Sequence, residues 1–395
     1  MDAETLLLNP GPVMMRPEVQ RALSAPMVSH RSAAFEAVFD EVREGFRHLY
    51  THSRADGRPS NWDGEVVFLN ATATLGMEAS IANFVGPDDA VLVLINGNFG
   101  VRFAQIAERH AGVVDTLEIP WGESFDVAAV TEAVEDGGYD LVTAVHTETS
   151  SGLRNPIGEI GAAVAETDAL FVVDGVSAIG GERVHPAEWG IDVSVVDAQK
   201  AVAASPGVCT MFLSSDALEA LSEEQTAFYH DLHRTVERAG RSQTPFTSAV
   251  TLFFGLQAAL DGIMEIGVDA WLDAHAERAR AWERTARAMG LELFASPAGP
   301  SDFANTVTAI ELPEPVKADY ETFTAELRDR DVFVGGGHGH LAGEIFRLGT
   351  MGDLTPARMA RGVDAVGAAL SAAGADVDVA AGREALAGAL NAPIG

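Results

Sequence analysis

Residues 169–200 read ALFVVDGVSAIGGERVHPAEWGIDVSVVDAQK. Two apolar runs, 170–173 and 193–196, begin and end this stretch, and continuous runs of this kind are typical of strands buried on both faces of a parallel sheet. Similar runs recur at 66–69, 90–94 and 141–145, with helix-length segments at 76–83, 101–110 and 127–134 between them. The alternation predicts βαβ units: an α/β fold with a mainly parallel sheet flanked by helices.

The C-terminal part of the chain has a different pattern. We predict a long helical stretch at 251–289, strands at 306–312, 332–334 and 345–348, and helices at 320–328 and 356–373. The chain therefore divides into an N-terminal arm (1–15), a large domain (16–258) and a smaller α+β C-terminal domain (259–395). The weakly patterned Ala/Gly-rich end from Ala372 is expected to be partly frayed.

The charge of the chain is strongly one-sided. Its 395 residues include 26 Lys+Arg and 58 Asp+Glu, for a formal net charge of −32, and only Lys200 and Lys317 are lysines. Such a chain repels a phosphate backbone, so we expect no nucleic-acid partner. An acidic excess with few lysines is typical of proteins from concentrated salt, which screens their self-repulsion, and predicts a halophilic protein.

The cysteine content and the hydropathy of the chain bear on its possible disulfides and metal sites, on membrane spans and on its location in the cell. The single cysteine, Cys209, excludes a disulfide framework and a multi-cysteine zinc site, and we predict no metal centre. The N-terminus has no basic leader or long apolar stretch, and no window approaches the roughly 20 apolar residues of a membrane span. A cytoplasmic protein with no membrane contact is the expectation.

Lys200 stands at the carboxyl end of the predicted strand 193–196 and precedes a loop of small residues. It is either a structural partner of Asp197 or a nucleophilic amine that forms a Schiff base, activated because partial desolvation lowers its pKa. We favour the amine, since a chain that has nearly lost lysine keeps one where parallel sheets bind ligands.

Asp174 ends the neighbouring apolar run 170–173. It is either a helix N-cap or a buried carboxylate in need of a cation, such as the protonated ring nitrogen of pyridoxal phosphate. One strand–helix–strand unit separates Asp174 from Lys200, so both can reach the same edge of the sheet. A cofactor ring between them would meet the aspartate at its nitrogen and the lysine at its aldehyde carbon.

Four motifs add to this pair: Asn9-Pro10-Gly11-Pro12, His146-Thr147-Glu148-Thr149-Ser150-Ser151-Gly152, Val172-Val173-Asp174-Gly175-Val176-Ser177, and Gln199-Lys200 with Ser205-Pro206-Gly207. In this order, over nearly the whole chain, they resemble the class V aminotransferases, which are fold-type-I pyridoxal-phosphate enzymes. The most similar group is the alanine–glyoxylate/serine–pyruvate aminotransferases. The resemblance implies a pyridoxal 5'-phosphate cofactor and a homodimer whose active site is shared between subunits.

The resemblance also implies roles for individual residues. Lys200 and Asp174 would be catalytic. Arg347 and Gly11 would bind the substrate, and Arg347 would do so by contacting the α-carboxylate of the substrate. The implied cofactor contacts are Thr72, Ala73, Thr74, Phe99, Thr149, Asp174, Val176, Gln199 and Lys200, together with Thr244 and Thr247, which would reach the phosphate of the neighbouring subunit.

Several of these residues also have ordinary structural interpretations. Thr72 or Thr74 could simply cap a helix, and the aromatic ring of Phe99 could be part of the core. Arg347, inside an apolar strand, could form an internal salt bridge instead of clasping a substrate carboxylate. His146 could be a structural histidine, and we leave it out of the catalytic set.

The implied reaction moves an amino group from a small amino acid of the alanine, serine or aspartate type to a 2-oxo acid such as glyoxylate or pyruvate. An alternative is a 2-aminoethylphosphonate–pyruvate aminotransferase, which residues 146–156 and 346–349 also resemble.

Cys209 lies in an apolar run, which argues against a cysteine desulfurase. A nicotinamide dehydrogenase would need an early Gly-x-Gly-x-x-Gly that we do not find, and a catalytically silent binding protein would not need Lys200, Asp174 and Arg347 together.

Overall fold

The computed structural model describes residues 4–54, 58–223 and 227–391. Its strands are β1 (Leu6–Leu7), β2 (Glu65–Leu69), β3 (Ala90–Ile95), β4 (Val113–Glu118), β5 (Leu141–Val145), β6 (Thr147–Glu148), β7 (Leu153–Arg154), β8 (Leu170–Asp174), β9 (Val193–Asp197), β10 (Cys209–Leu213), β11 (Asp302–Phe303), β12 (Val307–Glu311), β13 (Val332–Phe333), β14 (Gly335–Gly336) and β15 (Ile345–Gly349). Its helices are α1 (Pro17–Ala22), α2 (Ala33–Thr51), α3 (Ala73–Ala82), α4 (Asn98–His110), α5 (Val127–Gly137), α6 (Ile157–Val164), α7 (Ser215–Ala220), α8 (Leu232–Ala239), α9 (Val250–Ile266), α10 (Val268–Ala288), α11 (Glu314–Ala318), α12 (Tyr320–Asp329), α13 (Pro356–Ala372) and α14 (Val379–Leu390), with a 3₁₀ turn at Gly339–Leu341.

A seven-stranded sheet forms the centre of the molecule, in the order β2-β10-β9-β8-β5-β3-β4. Only β10 runs antiparallel to its neighbours. The apolar runs become these strands because both faces of the sheet are covered: β5, β9 and β10 are buried along their whole length. The predicted α/β fold with a mainly parallel sheet is confirmed.

The register of the sheet sets the position of the site. β8 and β9 are parallel neighbours, with Asp174 opposite Val195. Asp174 ends its strand, and β9 continues to Asp197 before the turn that carries Lys200. Both residues therefore lie at the carboxyl edge of the sheet, where parallel α/β sheets bind their ligands.

A second core lies in the C-terminal part of the chain, around the antiparallel sheet β12-β15-β14. The N-terminal arm belongs to this core, because β1 pairs with β13 and Leu6 and Leu8 are buried in it. Helix α10 contributes Trp271 to the first core and Trp282 to the second. The chain thus passes between the two cores within α10, and the boundary at residue 258 stays a prediction.

The predicted helical stretch 251–289 is two helices. Gly267, with φ of +91°, separates α9 from α10, and their axes differ by 91°. Within the described residues no single helix has the length and apolar composition to cross a membrane, although this bent pair taken together does.

The Ala/Gly-rich end differs from the frayed segment expected. Helix α14 forms there, and Gly382 lies against Met289 at the end of α10. An Asp378 side chain that accepts a hydrogen bond from the Ala381 N–H caps its N-terminus.

Candidate active site

Lys200 lies in the turn after β9, and its ammonium Nζ donates a hydrogen bond to the Pro10 carbonyl at 2.5 Å. It forms no ion pair with Asp197, or with any other acidic group among the described residues, so the structural interpretation of Lys200 does not hold. Burial lowers the pKa of Lys200 to about 8; the Arg347 charge adds to this, and Asp174 and Asp197 oppose it. A substantial part of the amine is therefore neutral and nucleophilic near pH 8.

Gly11 lies directly against the Lys200 side chain. A Cβ at this position would be 2.7 Å from Lys200 Cδ and 3.0 Å from its Cε and Nζ. Gly11 also has φ of +107°, a conformation that favours glycine. In the arm, Pro10 thus holds the amine by a hydrogen bond, and Gly11 leaves room for the lysine side chain.

Asp174 is a buried carboxylate without a cation at ion-pair distance among the residues described. It is 3% exposed, and its Oδ1 accepts a hydrogen bond from the Val176 N–H at 2.8 Å. Burial raises the pKa of Asp174 to about 7; this hydrogen bond and the Lys200 charge lower it, and Glu148 raises it. No helix begins at Asp174, so it is not an N-cap. Val176, one of the predicted contacts, serves this carboxylate through its backbone.

The N-terminus of α3 carries Thr72, Ala73 and Thr74. Thr72 is the N-cap residue, but its side chain makes no capping hydrogen bond. Both threonine side chains are exposed, and Thr74 Oγ1 accepts a hydrogen bond from Arg102. The Ala73 N–H donates to Asp197 Oδ2 at 2.7 Å, and the Gln199 amide donates to the same oxygen at 2.7 Å. Backbone N–H groups and hydroxyls at a helix N-terminus are suited to an anion, and here the Asp197 carboxylate accepts from the first of these N–H groups.

Phe99 is half-buried at the start of α4 and packs partly against the first core. The Arg102 guanidinium lies 4.7 Å from the centre of its ring, and the His338 ring meets it edge-on at 6.0 Å. Burial, together with the charges of Arg347, Arg102 and Lys200, lowers the pKa of His338 to about 4, so His338 is neutral at physiological pH. Phe99 thus packs partly against the first core, and its neighbour Arg102 is close enough to Lys200 to lower the pKa of that amine.

Arg347 is 5% exposed in β15, yet it forms no ion pair with any described carboxylate. Its Nε donates to the Gly336 carbonyl at 2.9 Å and a terminal nitrogen donates to the Thr149 carbonyl at 2.8 Å. Burial lowers the pKa of Arg347 to about 10, against the charge of Glu148. Among the residues that the structure describes, Arg347 thus has no internal salt bridge, and the partners of its guanidinium are the backbone carbonyls of Gly336 and Thr149. Thr149 contributes its backbone.

Glu148 is a buried residue that the sequence analysis did not single out. Its Oε2 accepts hydrogen bonds from the Phe99 and Gly100 N–H groups, and its Oε1 accepts from Ser150. Burial raises the pKa of Glu148, and these hydrogen bonds oppose the rise. A carboxylate at the N-terminus of a helix is stabilised by its dipole, and here it fixes the loop that presents Phe99. In the sequence its signal is a charged residue three positions after a buried strand.

Thr244 and Thr247 lie in the segment before α9, and within the part of the chain that the structure describes neither hydrogen-bonds to Lys200, Asp174 or Arg347. Thr244 is 2% exposed, and its hydroxyl shares a 2.5 Å hydrogen bond with Ser248. Thr247 is exposed, and its carbonyl accepts from Asn70, just before the N-terminus of α3. Contact of either residue with a neighbouring subunit stays a prediction, and in this single chain Thr247 is the exposed one.

Two other side chains can be assigned structural surroundings. His146 is buried, packs edge-on against Trp189 at 5.5 Å, and burial lowers its pKa to about 3. Cys209 is buried and burial raises the pKa of its thiol, so it is unsuited to be the mobile nucleophile of a desulfurase.

Lys200 and Asp174 lie at the same edge of the sheet, and the charges of Arg347 and Asp174 both act on the pKa of Lys200, so the three groups lie close together. A half-buried amine, a buried carboxylate and a buried guanidinium, none with an opposite charge at ion-pair distance among the described residues, can receive a ligand that carries complementary charges. The site can form a covalent bond through the amine and clasp a carboxylate through the guanidinium.

Comparisons with known proteins identify the family. The family model "Aminotransferase class-V" matches residues 15–341. An uncharacterised aminotransferase of Methanocaldococcus jannaschii is 35% identical over 88% of each chain, and the L-aspartate–glyoxylate aminotransferase of Paracoccus denitrificans is 30% identical over 92% of this chain and 90% of its own. The crystal structure of the ureidoglycine–glyoxylate aminotransferase from Bacillus subtilis matches with a TM-score of 0.90 and 28% identity over 99% of both chains. The chain therefore belongs to the class V aminotransferases, enzymes that move an amino group between an amino acid and a 2-oxo acid.

Proposed function

We propose that this aminotransferase uses pyridoxal 5'-phosphate bound through Lys200. The observation that carries the proposal is the set of three charged groups, the half-buried Lys200 and the buried Asp174 and Arg347, without ion-pair partners among the described residues. Each matches a different part of the bound reactants: the aldehyde of the cofactor, its ring nitrogen and the carboxylate of the substrate. Membership of the family supports the same cofactor.

The chemistry of the donor set fits this cofactor. The exposed hydroxyls of Thr72 and Thr74 and the N-terminus of α3 suit a phosphate, and the Gln199 Oε1 is a buried acceptor without a partner among the described residues. The half-buried ring of Phe99 suits one face of an aromatic ring. A protonated pyridine nitrogen would supply the cation that the buried Asp174 lacks.

When bound, pyridoxal phosphate supplies an aldehyde that condenses with amines and a ring that accepts electrons from the substrate Cα. Arg347 binds the substrate carboxylate and orients the Cα–H bond toward Lys200. Lys200, whose pKa is about 8, would take the proton from the substrate Cα as a general base and give it back as a general acid. Asp174 would hold a proton on the ring nitrogen of the bound cofactor, and the burial of Asp174 and Arg347 would keep water from competing.

We further propose that the donor is a small amino acid of the alanine, serine or aspartate type and that the acceptor is glyoxylate or pyruvate. Arg347 supports an α-carboxylate on both substrates, because both half-reactions use the same guanidinium. The names of the two characterised relatives compared above both contain glyoxylate.

The test is a matrix of donors and acceptors with wild type, Arg347→Lys and the control Arg278→Lys. Alanine, serine, aspartate and 2-aminoethylphosphonate are paired with glyoxylate, pyruvate and 2-oxoglutarate. Arg278 is a matched control because its guanidinium also donates to a backbone carbonyl, that of Thr350, away from Lys200. We expect an α-amino acid with glyoxylate or pyruvate to give the highest kcat/KM. Arg347→Lys should lower it roughly 30- to 100-fold by loss of the paired hydrogen bonds.

The phosphonate alternative is decided by the same matrix. If 2-aminoethylphosphonate with pyruvate exceeds every α-amino acid pair, the proposed donor class is wrong. If Arg347→Lys and Arg278→Lys lose activity equally, Arg347 has no special role at the substrate.

We also propose a homodimer in which Thr247 approaches the site of the neighbouring subunit. The exposed aromatic residues Phe228 and Tyr229, which pack against Phe246 beside Thr247, support an interface on this face.

We further propose that the enzyme is cytoplasmic and adapted to concentrated salt. The net charge of −32 supports the adaptation to salt.

A further inference from the structure

The carboxylate of Asp197 occupies the anion-binding end of the site. Its Oδ2 accepts hydrogen bonds of 2.7 Å from the Ala73 N–H and from the Gln199 amide, and its Oδ1 accepts one of 3.1 Å from the Ala198 N–H. Asp197 is 2% exposed, and no described cation lies within ion-pair distance of it. A negatively charged group thus already binds the donors at the N-terminus of α3.

We propose that Asp197 competes with the cofactor's phosphate group for these donors and thereby sets the affinity of the enzyme for pyridoxal phosphate. The inference rests on the proposed function, because it concerns the phosphate end of the same cofactor. Ala73 and Gln199 are donors that a phosphate at this helix terminus would also use. Loading the cofactor then requires the Asp197 carboxylate to give up these hydrogen bonds or to tolerate a like charge beside it.

The surroundings of Asp197 support competition. The Gln199 side chain gives its amide N–H to Asp197 while its own Oε1 has no partner among the described residues. The Gln199 amide nitrogen therefore donates to the Asp197 carboxylate, while the amide oxygen of Gln199 stays without a hydrogen-bond donor among the described residues. The Thr74 N–H makes no hydrogen bond to a described residue, and the Thr72 side chain makes no capping bond, so donors are available next to those that Asp197 occupies.

Burial also raises the pKa of Asp197, against the hydrogen bonds and the charge of Lys200 that lower it. The ionised carboxylate is therefore stabilised by its donors rather than by solvent. If a phosphate binds these donors, the ionised Asp197 carboxylate loses the hydrogen bonds that stabilise its charge. The free energy of that loss weakens the binding of the phosphate.

Comparison of pyridoxal phosphate with pyridoxal isolates this effect, because pyridoxal has the same aldehyde and ring but no phosphate. The proteins are cofactor-free wild type, Asp197→Asn and Asp197→Ala. Asp192→Asn is the matched control: Asp192 also accepts from a backbone N–H, that of Phe171, and from a side chain, Ser214, but at the opposite end of β9. Dissociation constants come from the absorbance of the covalent adduct and from tryptophan fluorescence, and thermal melts verify that each variant is folded.

We expect both Asp197 variants to bind pyridoxal phosphate about tenfold or more tightly than wild type, with less than a threefold change for pyridoxal. Asp192→Asn should change neither constant. Unchanged or weaker binding of pyridoxal phosphate in both folded Asp197 variants would overturn the inference, as would an equal gain for pyridoxal. A wild-type protein that binds neither compound contradicts the proposed cofactor itself, and this inference with it.

Discussion

At the level of single residues, the site is defined by charges that the protein itself leaves uncompensated. Asp174 and Arg347 are buried and Lys200 is half-buried, and the pKa of each is displaced toward its neutral form, to about 8 for Lys200, 7 for Asp174 and 10 for Arg347. Isolated buried charges cost several kcal/mol each, so a chain keeps them where a ligand supplies the partner. By contrast Lys317, the only other lysine, pairs with Glu314 and Glu344 at 3.0 Å.

Asp174 gives a pH dependence that can be measured without cofactor. Its folded-state pKa of about 7 lies above the value of 3.8 for an ordinary aspartate, so the folded state binds the proton more tightly. This contribution to stability is therefore complete below about pH 4 and is lost as the pH rises toward 7. Relative to wild type, Asp174→Asn should gain about 2–3 kcal/mol in unfolding free energy between pH 5 and pH 8, as measured by urea unfolding in constant molar KCl.

A suitable control is Asp168→Asn, which changes an exposed carboxylate just before the same strand. It should shift the stability by a constant amount across this pH range. A difference between Asp174→Asn and wild type that does not vary with pH would show that Asp174 is not held in the environment described here.

At the level of secondary-structure elements, five strands of the central sheet could be predicted closely because their signal is local, whereas β4 and β10 were not predicted. The runs 170–173 and 193–196 differ from β8 and β9 by the single aspartate that ends each strand. Helix α5 begins at Val127 as predicted, whereas two helix starts were predicted three residues late, since α3 begins at Ala73 rather than 76 and α4 at Asn98 rather than 101. Both first turns are capped by distant carboxylates, Asp197 and Glu148, which sequence spacing does not reveal.

The same reason limits prediction of the site. Lys200 and Asp174 could be found because they follow apolar strands, whereas the motif around Glu148 supported only a family resemblance. Its function in presenting Phe99 depends on a contact between segments 49 residues apart. Helix α14 was missed because its Ala/Gly-rich sequence has a weak pattern and is stabilised by packing against α10.

Two glycines in α14 provide a test of that packing. A Cβ at Gly388 would meet no atom within 4 Å, whereas at Gly382 it would be 2.5 Å from Met289 Cγ. Gly388→Ala should therefore stabilise the protein by about 0.5–1 kcal/mol through helix propensity. Gly382→Ala should lose this gain to the displacement of Met289 and be at least about 1 kcal/mol less stable than Gly388→Ala.

Urea unfolding of the two variants under one condition measures the difference. If both variants gain stability equally, α14 does not pack against α10 as described.

For the whole molecule, the dominant property is its charge. The net charge of −32 repels itself at low ionic strength, and the ion pairs are made almost entirely by arginine. Surface pairs of this kind contribute little individually, so they do not offset the repulsion. Screening by salt is therefore expected to matter more for this protein than for one near neutrality.

We predict that the melting temperature rises by about 10 °C or more between 0.1 M and 2 M KCl, since the Debye length falls from about 10 Å to a few ångströms. Differential scanning calorimetry at constant pH makes the measurement. Sucrose at the same osmolality is the control and should produce a smaller rise. A melting temperature that does not depend on KCl would contradict the proposed adaptation to salt.

The most direct test of the account is to locate the covalent bond to the cofactor. Because the chain has only two lysines, Lys200 and Lys317, borohydride reduction of the protein with pyridoxal phosphate followed by peptide mass spectrometry gives a clear assignment. We predict a reduced adduct on the peptide that contains Lys200, which is lost in Lys200→Ala and persists in Lys317→Ala. An adduct on Lys317 instead, or undiminished transamination by Lys200→Ala, would contradict it.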